Sequence, residues 1–207
     1  MSENRAFDPL SYENLGASIV RALEEQPVCP LGELDKFNGA GIYSLYYRGD
    51  FKLYSRISEA NRQEPGSMPI YIGKAEAENA RKGDPDLTVD RVGPKLFTRV
   101  MKHKRSIEAV QNLAVEDFDV RVLTVEPTWV ALAEIISLRR HRPLWNVKVD
   151  GLGNNDPGAG RRNGARPRWD TLHPGRHWAA LLAEHPDGEK SIVESVLEYL
   201  DERGDLN

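Results

Sequence analysis

The stretch Gly41-Ile42-Tyr43-Ser44-Leu45-Tyr46-Tyr47 constrains the fold most. Aromatic and β-branched side chains on consecutive positions suit a pleated, packed surface, and the leading glycine marks where the strand begins. A second short strand, Pro69-Ile70-Tyr71-Ile72-Gly73, is closed by glycine. A third is expected where Phe118, Val120, Val122 and Thr124 alternate with Asp119, Arg121 and Leu123.

Helices are expected between and around these strands. Leu15, Ile19, Val20 and Leu23 recur at helical spacing over roughly residues 10–26. Pro94 suits the first turn of a helix reaching about Val110, with Leu96, Val100, Ile107 and Val110 inward. Thr128 is placed to cap a helix that Pro143 stops. Leu144 to Val149 reads as a short strand, and Trp178 to Glu184 and Lys190 to Glu202 as closing helices. Ala75 to Gly93 and Gly151 to Gly175 read as loops, the second long enough to suggest function. The order implies an α+β fold, a small central antiparallel sheet flanked by helices, with insertions and terminal helical extensions.

The 207 residues fit one domain. No apolar run of membrane-spanning length occurs, and Met1 to Pro9 lacks a charged-then-apolar leader pattern. The single cysteine, Cys29, excludes an internal disulfide and a cysteine-rich zinc site. A cytoplasmic protein is the expectation.

A net charge of −4 argues against nucleic-acid binding until its distribution is considered. Arg91 to Arg105 holds six basic residues and no acidic one, and Arg139 to Trp178 has a local excess of six positive charges. The acidic excess lies at the two ends. A phosphate backbone responds to the local field, not to the chain total. Lys102, Lys104 and Arg105 in the first run are candidate DNA contacts, although such runs also form ordinary solvated helix faces. In the second run the stretch Gly160 to Trp169 offers Arg161, Arg162, Asn163, Arg166 and Arg168. Arginine suits guanine edges and asparagine adenine, but both also bind phosphates, and a basic tether is the alternative. His173 to Trp178 is a candidate continuation of that surface.

The chemistry concentrates elsewhere. Glu134 is one acid beside Leu132, Ile135 and Ile136; taken alone it reads as a surface glutamate. Arg99 and His103, four positions apart, share a helix face. An arginine fork can grip a phosphate, and a histidine there can orient or deprotonate a tyrosine or water. There is no Walker loop, nucleophile elbow or His-Glu-x-x-His, and Gly151-Leu152-Gly153 lacks the strand–helix context of a dinucleotide motif.

Gly41-Ile42-Tyr43 followed by Tyr71-Ile72-Gly73 resembles the tripeptide pair that names the GIY-YIG nucleases. Three further elements follow in that family's order: Leu96-Phe97-Thr98-Arg99, then Ala131-Leu132-Ala133-Glu134-Ile135-Ile136, then Arg142-Pro143-Leu144-Trp145-Asn146. The resemblance spans roughly residues 40–150 of a single endonuclease domain, flanked by the helix over 10–26 and the recognition loop and helices of 151–207. It implies that Tyr43 positions or deprotonates the attacking water and that Tyr71 bonds within the same site. It further implies that Arg99 holds the phosphate and that Glu134 binds one Mg2+, with Mn2+ able to substitute. Asn146 would fix the metal's water shell or a tyrosine, with capping of a turn as the alternative. His103 or Lys74 would be the helper near the tyrosines.

Tyr43 and Tyr71 are 28 positions apart, wider than the hairpin common in the family, which resembles the restriction-enzyme branch. That resemblance implies a type II enzyme of a restriction–modification system. It would cut double-stranded DNA at a GC-only palindrome such as CCGCGG as a homodimer, without a membrane. A structure-specific repair or recombination nuclease and a non-catalytic DNA-binding protein are the alternatives.

Overall fold

In a computed structural model, described for residues 8, 10–77, 92–158 and 163–204, four strands form one antiparallel sheet in the order β1-β4-β2-β3. They are β1 (Cys29–Pro30), β2 (Gly41–Tyr47), β3 (Pro69–Ala75) and β4 (Phe118–Thr124). The fold is α+β, as the order of elements implied. Strand β2 is buried along its whole length because it is an inner strand covered on both faces. By the period-two rule its odd and even residues serve different layers. Tyr43, Leu45 and Tyr47 join the main core, whereas Ile42 packs with Leu23 and Ala133 on the other face.

Two glycines of β2 and β3 permit close approaches. Gly41 sits at φ +155°, and a side chain there would place its Cβ 2.0 Å from the Leu123 carbonyl oxygen. Gly73 pairs directly with Tyr43, and a Cβ on it would meet the Tyr43 hydroxyl at 2.4 Å. The tyrosine therefore lies across the glycine, which is why one tripeptide needs its first glycine and the other its last.

Helices α1 (Tyr12–Glu24) and α4 (Val130–His141) cover the Ile42 face. Ser11 caps α1 through the Asn14 amide, and Gly16 lets Ile136 of α4 come close. Helix α2 (Ser55–Gln63) bridges β2 and β3, where buried Asn61 bonds to the carbonyls of Tyr47 and Met68. Helix α3 (Lys95–Glu108) lies on the Tyr43 face with Leu96, Val100 and Ile107 buried, as their spacing predicts. Pro94 occupies its N-cap rather than its first turn.

Three expectations fail for identifiable reasons. Thr128 does not cap α4, because Pro127–Trp129 forms a tight turn and Trp129 takes the N-cap. Leu144–Val147 is a single helical turn, α5, and not a strand. Its Leu144 and Trp145 are buried in the main core. The loop over 151–175 is partly core. Helix α6 (Arg168–Leu172) buries Trp169, Asp170 and Leu172, and His173 is fully buried after it. The chain closes with α7 (His177–Ala180) and α8 (Gly188–Gly204), whose Ile192, Val196, Tyr199 and Leu200 face inward. Most of the expected loop after Ala75 lies outside the described residues.

His173 illustrates how tightly this closing region is specified. Asn112 donates through Nδ2 to the Leu172 carbonyl (2.8 Å), which leaves its Oδ1 to accept from His173 Nδ1 at 2.9 Å. Nε2 of the neutral ring must then accept from the Tyr54 hydroxyl at 2.7 Å. The proposed DNA surface over His173 to Trp178 thus loses its first member to the core.

Candidate active site

Tyr43 and Tyr71 project from the same sheet face, since Tyr43 pairs with Gly73 and Leu45 with Tyr71. Their rings lie 6.1 Å apart, and the His103 ring stands 5.7 Å from Tyr43 and 5.0 Å from Tyr71. Three elements therefore converge on one aromatic pocket. Arg99, one turn before His103 on α3, acts electrostatically on both tyrosines and on the histidine.

Burial dominates the titration behaviour of this cluster. It raises the Tyr43 phenol well above its ordinary range, Tyr71 adds to the rise, and Arg99 opposes it. Burial also raises Tyr71, with Arg99 opposing and the Glu134 carboxylate adding. Both tyrosines are neutral phenols at physiological pH, so the cation beside Tyr43 does not make it a resting phenolate. His103 is lowered to about 3 by burial, with the positive charges of Arg99, Lys102 and Arg176 acting in the same direction. Its protonation does not change near neutral pH, contrary to the sequence expectation. Neither of its ring nitrogens, nor the Tyr43 hydroxyl, has a well-aligned hydrogen bond. Tyr71 and Arg99 still approach the Tyr43 hydroxyl, and the Leu152 backbone approaches His103.

On the α4 side of β3, the Lys74 ammonium bridges Glu134 Oε2 at 3.1 Å and Glu76 Oε1 at 2.8 Å. The hydrogen bond to Glu76 is the main cause of a raised Lys74 pKa, and Glu134 reinforces it. Lys74 is therefore a firmly charged cation on the metal-binding candidate. Glu134 keeps 22% of its side chain accessible.

Asn146 does something different from either expected role. Its Nδ2 donates to the Ile72 carbonyl and its Oδ1 accepts from the Ile72 amide, both at 2.8 Å. Strand β3 is an edge strand, so its outer peptide groups lack a strand partner. Asn146 replaces one residue of a missing strand and fixes the peptide between Tyr71 and Gly73.

The candidate DNA contacts divide. Lys102 and Arg105 line a groove of about 300 Å³ with Asn154, Asn155, His177 and Trp178. Lys102 is lowered by burial and by neighbouring Arg99 and Arg176, and it donates to the Gly153 carbonyl at 3.2 Å. Lys104 instead pairs with Glu108 at 3.9 Å and lines a separate cavity beside Arg48. Asn163 is exposed. Arg166 donates to the Ala179 carbonyl, and Arg168 ion-pairs with Asp187 and donates to the Lys148 carbonyl. Those two arginines are largely engaged in holding the closing region. Arg161 and Arg162 lie outside the described residues.

Sequence reasoning missed the short turn 151–154 and the residue that holds it. A Cβ on Gly153 would fall 2.8 Å from Arg99 Nη2 and 3.3 Å from His103 Cε1. Nothing local marks that glycine, because what it touches is 50 residues away in sequence.

A tyrosine pair on neighbouring strands thus faces an arginine and a histidine from one helix, with a glutamate on another helix across the sheet. A family profile described as the Eco29kI GIY-YIG domain matches residues 35–200, and the chain belongs to that family. It is a nuclease of the restriction type, acting on DNA. The match takes in the closing helices as well as the catalytic core. No curated protein matches the chain. No helix among the described residues is long and apolar enough to cross a membrane.

Proposed function

We propose that this chain is a magnesium-dependent type II restriction endonuclease that hydrolyses both strands of DNA at a short GC-rich palindrome, CCGCGG being the first sequence to test. The observation that carries the reading is the convergence of Tyr43, Tyr71 and His103 from three elements on one buried cluster beside Arg99. Those three rings come from β2, β3 and α3, and a guanidinium that acts on all of them is what a phosphate-binding site needs and a plain aromatic core does not.

Glu134 suits a hard divalent cation. It is a carboxylate oxygen donor, partly accessible so that water and phosphate oxygens can complete a coordination shell, in a place where an ammonium is already accepted. A magnesium ion there supplies electrostatic stabilisation of the charge that grows on phosphorus and the leaving oxygen. Manganese fits the same donor.

Arg99 holds a non-bridging phosphate oxygen with its guanidinium. Tyr43, kept protonated by burial, accepts a hydrogen bond from the attacking water and orients it in line with the bond to the departing sugar oxygen. Neutral His103, its ring against both tyrosines, orients the phenol and the water; with its pKa lowered to about 3 it is too weak a base to hold the proton that the water loses, which passes to solvent. Tyr71 packs against both rings, and Asn146 holds the β3 peptide that carries it. Lys102 and Arg105 contact the DNA backbone, with Asn163, Arg161 and Arg162 as readers. One such site cuts one strand, so cleavage of a palindrome calls for a homodimer on DNA.

The test is incubation with intact phage DNA, with magnesium and with EDTA. Discrete fragments only with magnesium support the proposal, and end-sequencing gives the site. Cleavage of forks or flaps alone moves the reading to a repair nuclease. Binding without cleavage of any substrate moves it to a DNA-binding protein.

A further inference from the structure

Among the described residues, Arg176 has the guanidinium with the most protein hydrogen-bond partners. Its Nε donates to Asp170 Oδ1 at 2.6 Å, and Nη2 reaches the other carboxylate oxygen. Both side chains are nearly inaccessible, at 5% and 1%. The Arg176 Cζ lies over the rings of Trp169 and Trp178, 4.6 and 4.7 Å from their centroids. What remains of the fork is spent on one short turn. Nη2 donates to the Gly151 carbonyl at 2.8 Å, and Nη1 to those of Leu152 and Asn154 at 3.0 and 3.3 Å.

Three of four consecutive carbonyls are thereby drawn to one side. The fourth, Gly153, points to Lys102, and its α-carbon stands against Arg99 and His103. A buried ion pair is weak support for stability, since desolvation offsets most of the attraction. A planar five-donor fork that a lysine cannot reproduce is, however, well suited to fixing backbone.

We infer that Arg176 is a positioning residue for DNA cleavage: through the carbonyls of Gly151, Leu152 and Asn154 it holds Gly153 as the wall that sets the place of the Arg99 guanidinium. This rests on the reading of Arg99 as the phosphate-holding group. Displacing a reacting group by about 1 Å costs on the order of a hundredfold in rate. Gly153→Ala pushes the end of a flexible arginine and not backbone, so it moves Arg99 while sparing the fold.

The experiment compares single-turnover cleavage by wild type, Gly153→Ala, Arg176→Lys and Arg99→Lys, using the DNA the wild-type chain cuts. A further variant combines Gly153→Ala with Arg99→Lys. Gly153→Ala and Arg176→Lys are expected to lose roughly ten- to a hundredfold in rate. Affinity for that DNA in EDTA should change by no more than about twofold, the ordinary scatter of additivity. In the Arg99→Lys background Gly153→Ala should cost less than about twofold, because the group it displaces has already gone.

Wild-type rate in Gly153→Ala, an equal loss in both backgrounds, or a loss confined to DNA affinity overturns the inference. Wild-type rate in Arg176→Lys overturns it too; should that variant fail to fold, Arg176→Gln, which keeps part of the donor set, takes its place and is expected to show the same loss of rate with DNA affinity kept. If Arg99→Lys itself cuts like wild type, the reading of the site fails first, and that result is distinct from the others.

Discussion

Replacing Tyr43 by Phe should make the protein more stable and less active at the same time. The side chain is fully buried, and its hydroxyl lacks a well-aligned hydrogen bond. Tyr71 and Arg99 approach it, but not with the alignment of a full hydrogen bond. A buried polar group left unsatisfied costs about 1–3 kcal/mol. Removing the oxygen recovers part of that while leaving the ring packed against Tyr71, His103 and the Gly73 backbone. A gain of about 1 kcal/mol corresponds to a rise in Tm of roughly 2–4 °C for a chain of this size. Activity should move the other way, because the phenol orients water, and positioned acid–base groups contribute about 10²- to 10⁴-fold. The assay pairs thermal unfolding without metal with single-turnover cleavage in magnesium. A fall in Tm of more than about 2 °C would show that the hydroxyl is well bonded in the free protein. Cleavage at the wild-type rate would remove the phenol from the chemistry altogether.

Glu134→Ala should abolish cleavage while DNA binding in EDTA survives, as a gel-shift titration would show; undiminished cutting takes the metal away from Glu134. Gly73→Ala forces a Cβ into the Tyr43 hydroxyl, and overpacking of that kind costs about 1–3 kcal/mol, readable as a lower urea midpoint together with lost activity. Asn146→Ala strips the Ile72 peptide of both partners and should destabilise by about 1–3 kcal/mol; a change below about 0.5 kcal/mol would mean that water replaces the amide without penalty. His103 and His173 both have folded pKa values lowered to about 3, against an unfolded value near 6.5. The unfolded chain therefore binds more protons between those limits, so stability is fully present above about pH 6.5 and declines as pH falls toward 3. Their ring-proton NMR shifts should stay constant from pH 8 to pH 5, and an ordinary titration of either would contradict its burial.

Strand β2, the edge strand and the α3 core face were legible because each rests on a local pattern: aromatic density, a terminal glycine, a 3.6-residue period. The candidate site was legible for the same reason, since its motifs sit on those elements. What escaped were relations across the chain. Asn146 stands on a helical turn that looked like a strand, and its partner is a peptide 74 positions earlier. No periodicity encodes a side-chain amide standing in for a missing strand.

The basic stretch after residue 139 shows a second limit, which bears on how such a protein meets DNA. Counting arginines treats each as free charge. Arg166, Arg168 and Arg176 instead turn their donors onto backbone carbonyls or buried carboxylates. A guanidinium that is already saturated by protein still contributes its charge, as Arg176 does in lowering Lys102 and His103, but it has little left with which to read a base. The positive field near the cleft and the specific contacts to DNA are thus assigned to different residues. Field comes in part from arginines that also build the wall of the site. Among the described candidates, exposed Arg105 and Asn163 are the ones whose side chains the fold leaves uncovered, whereas Lys102 already donates to the Gly153 carbonyl.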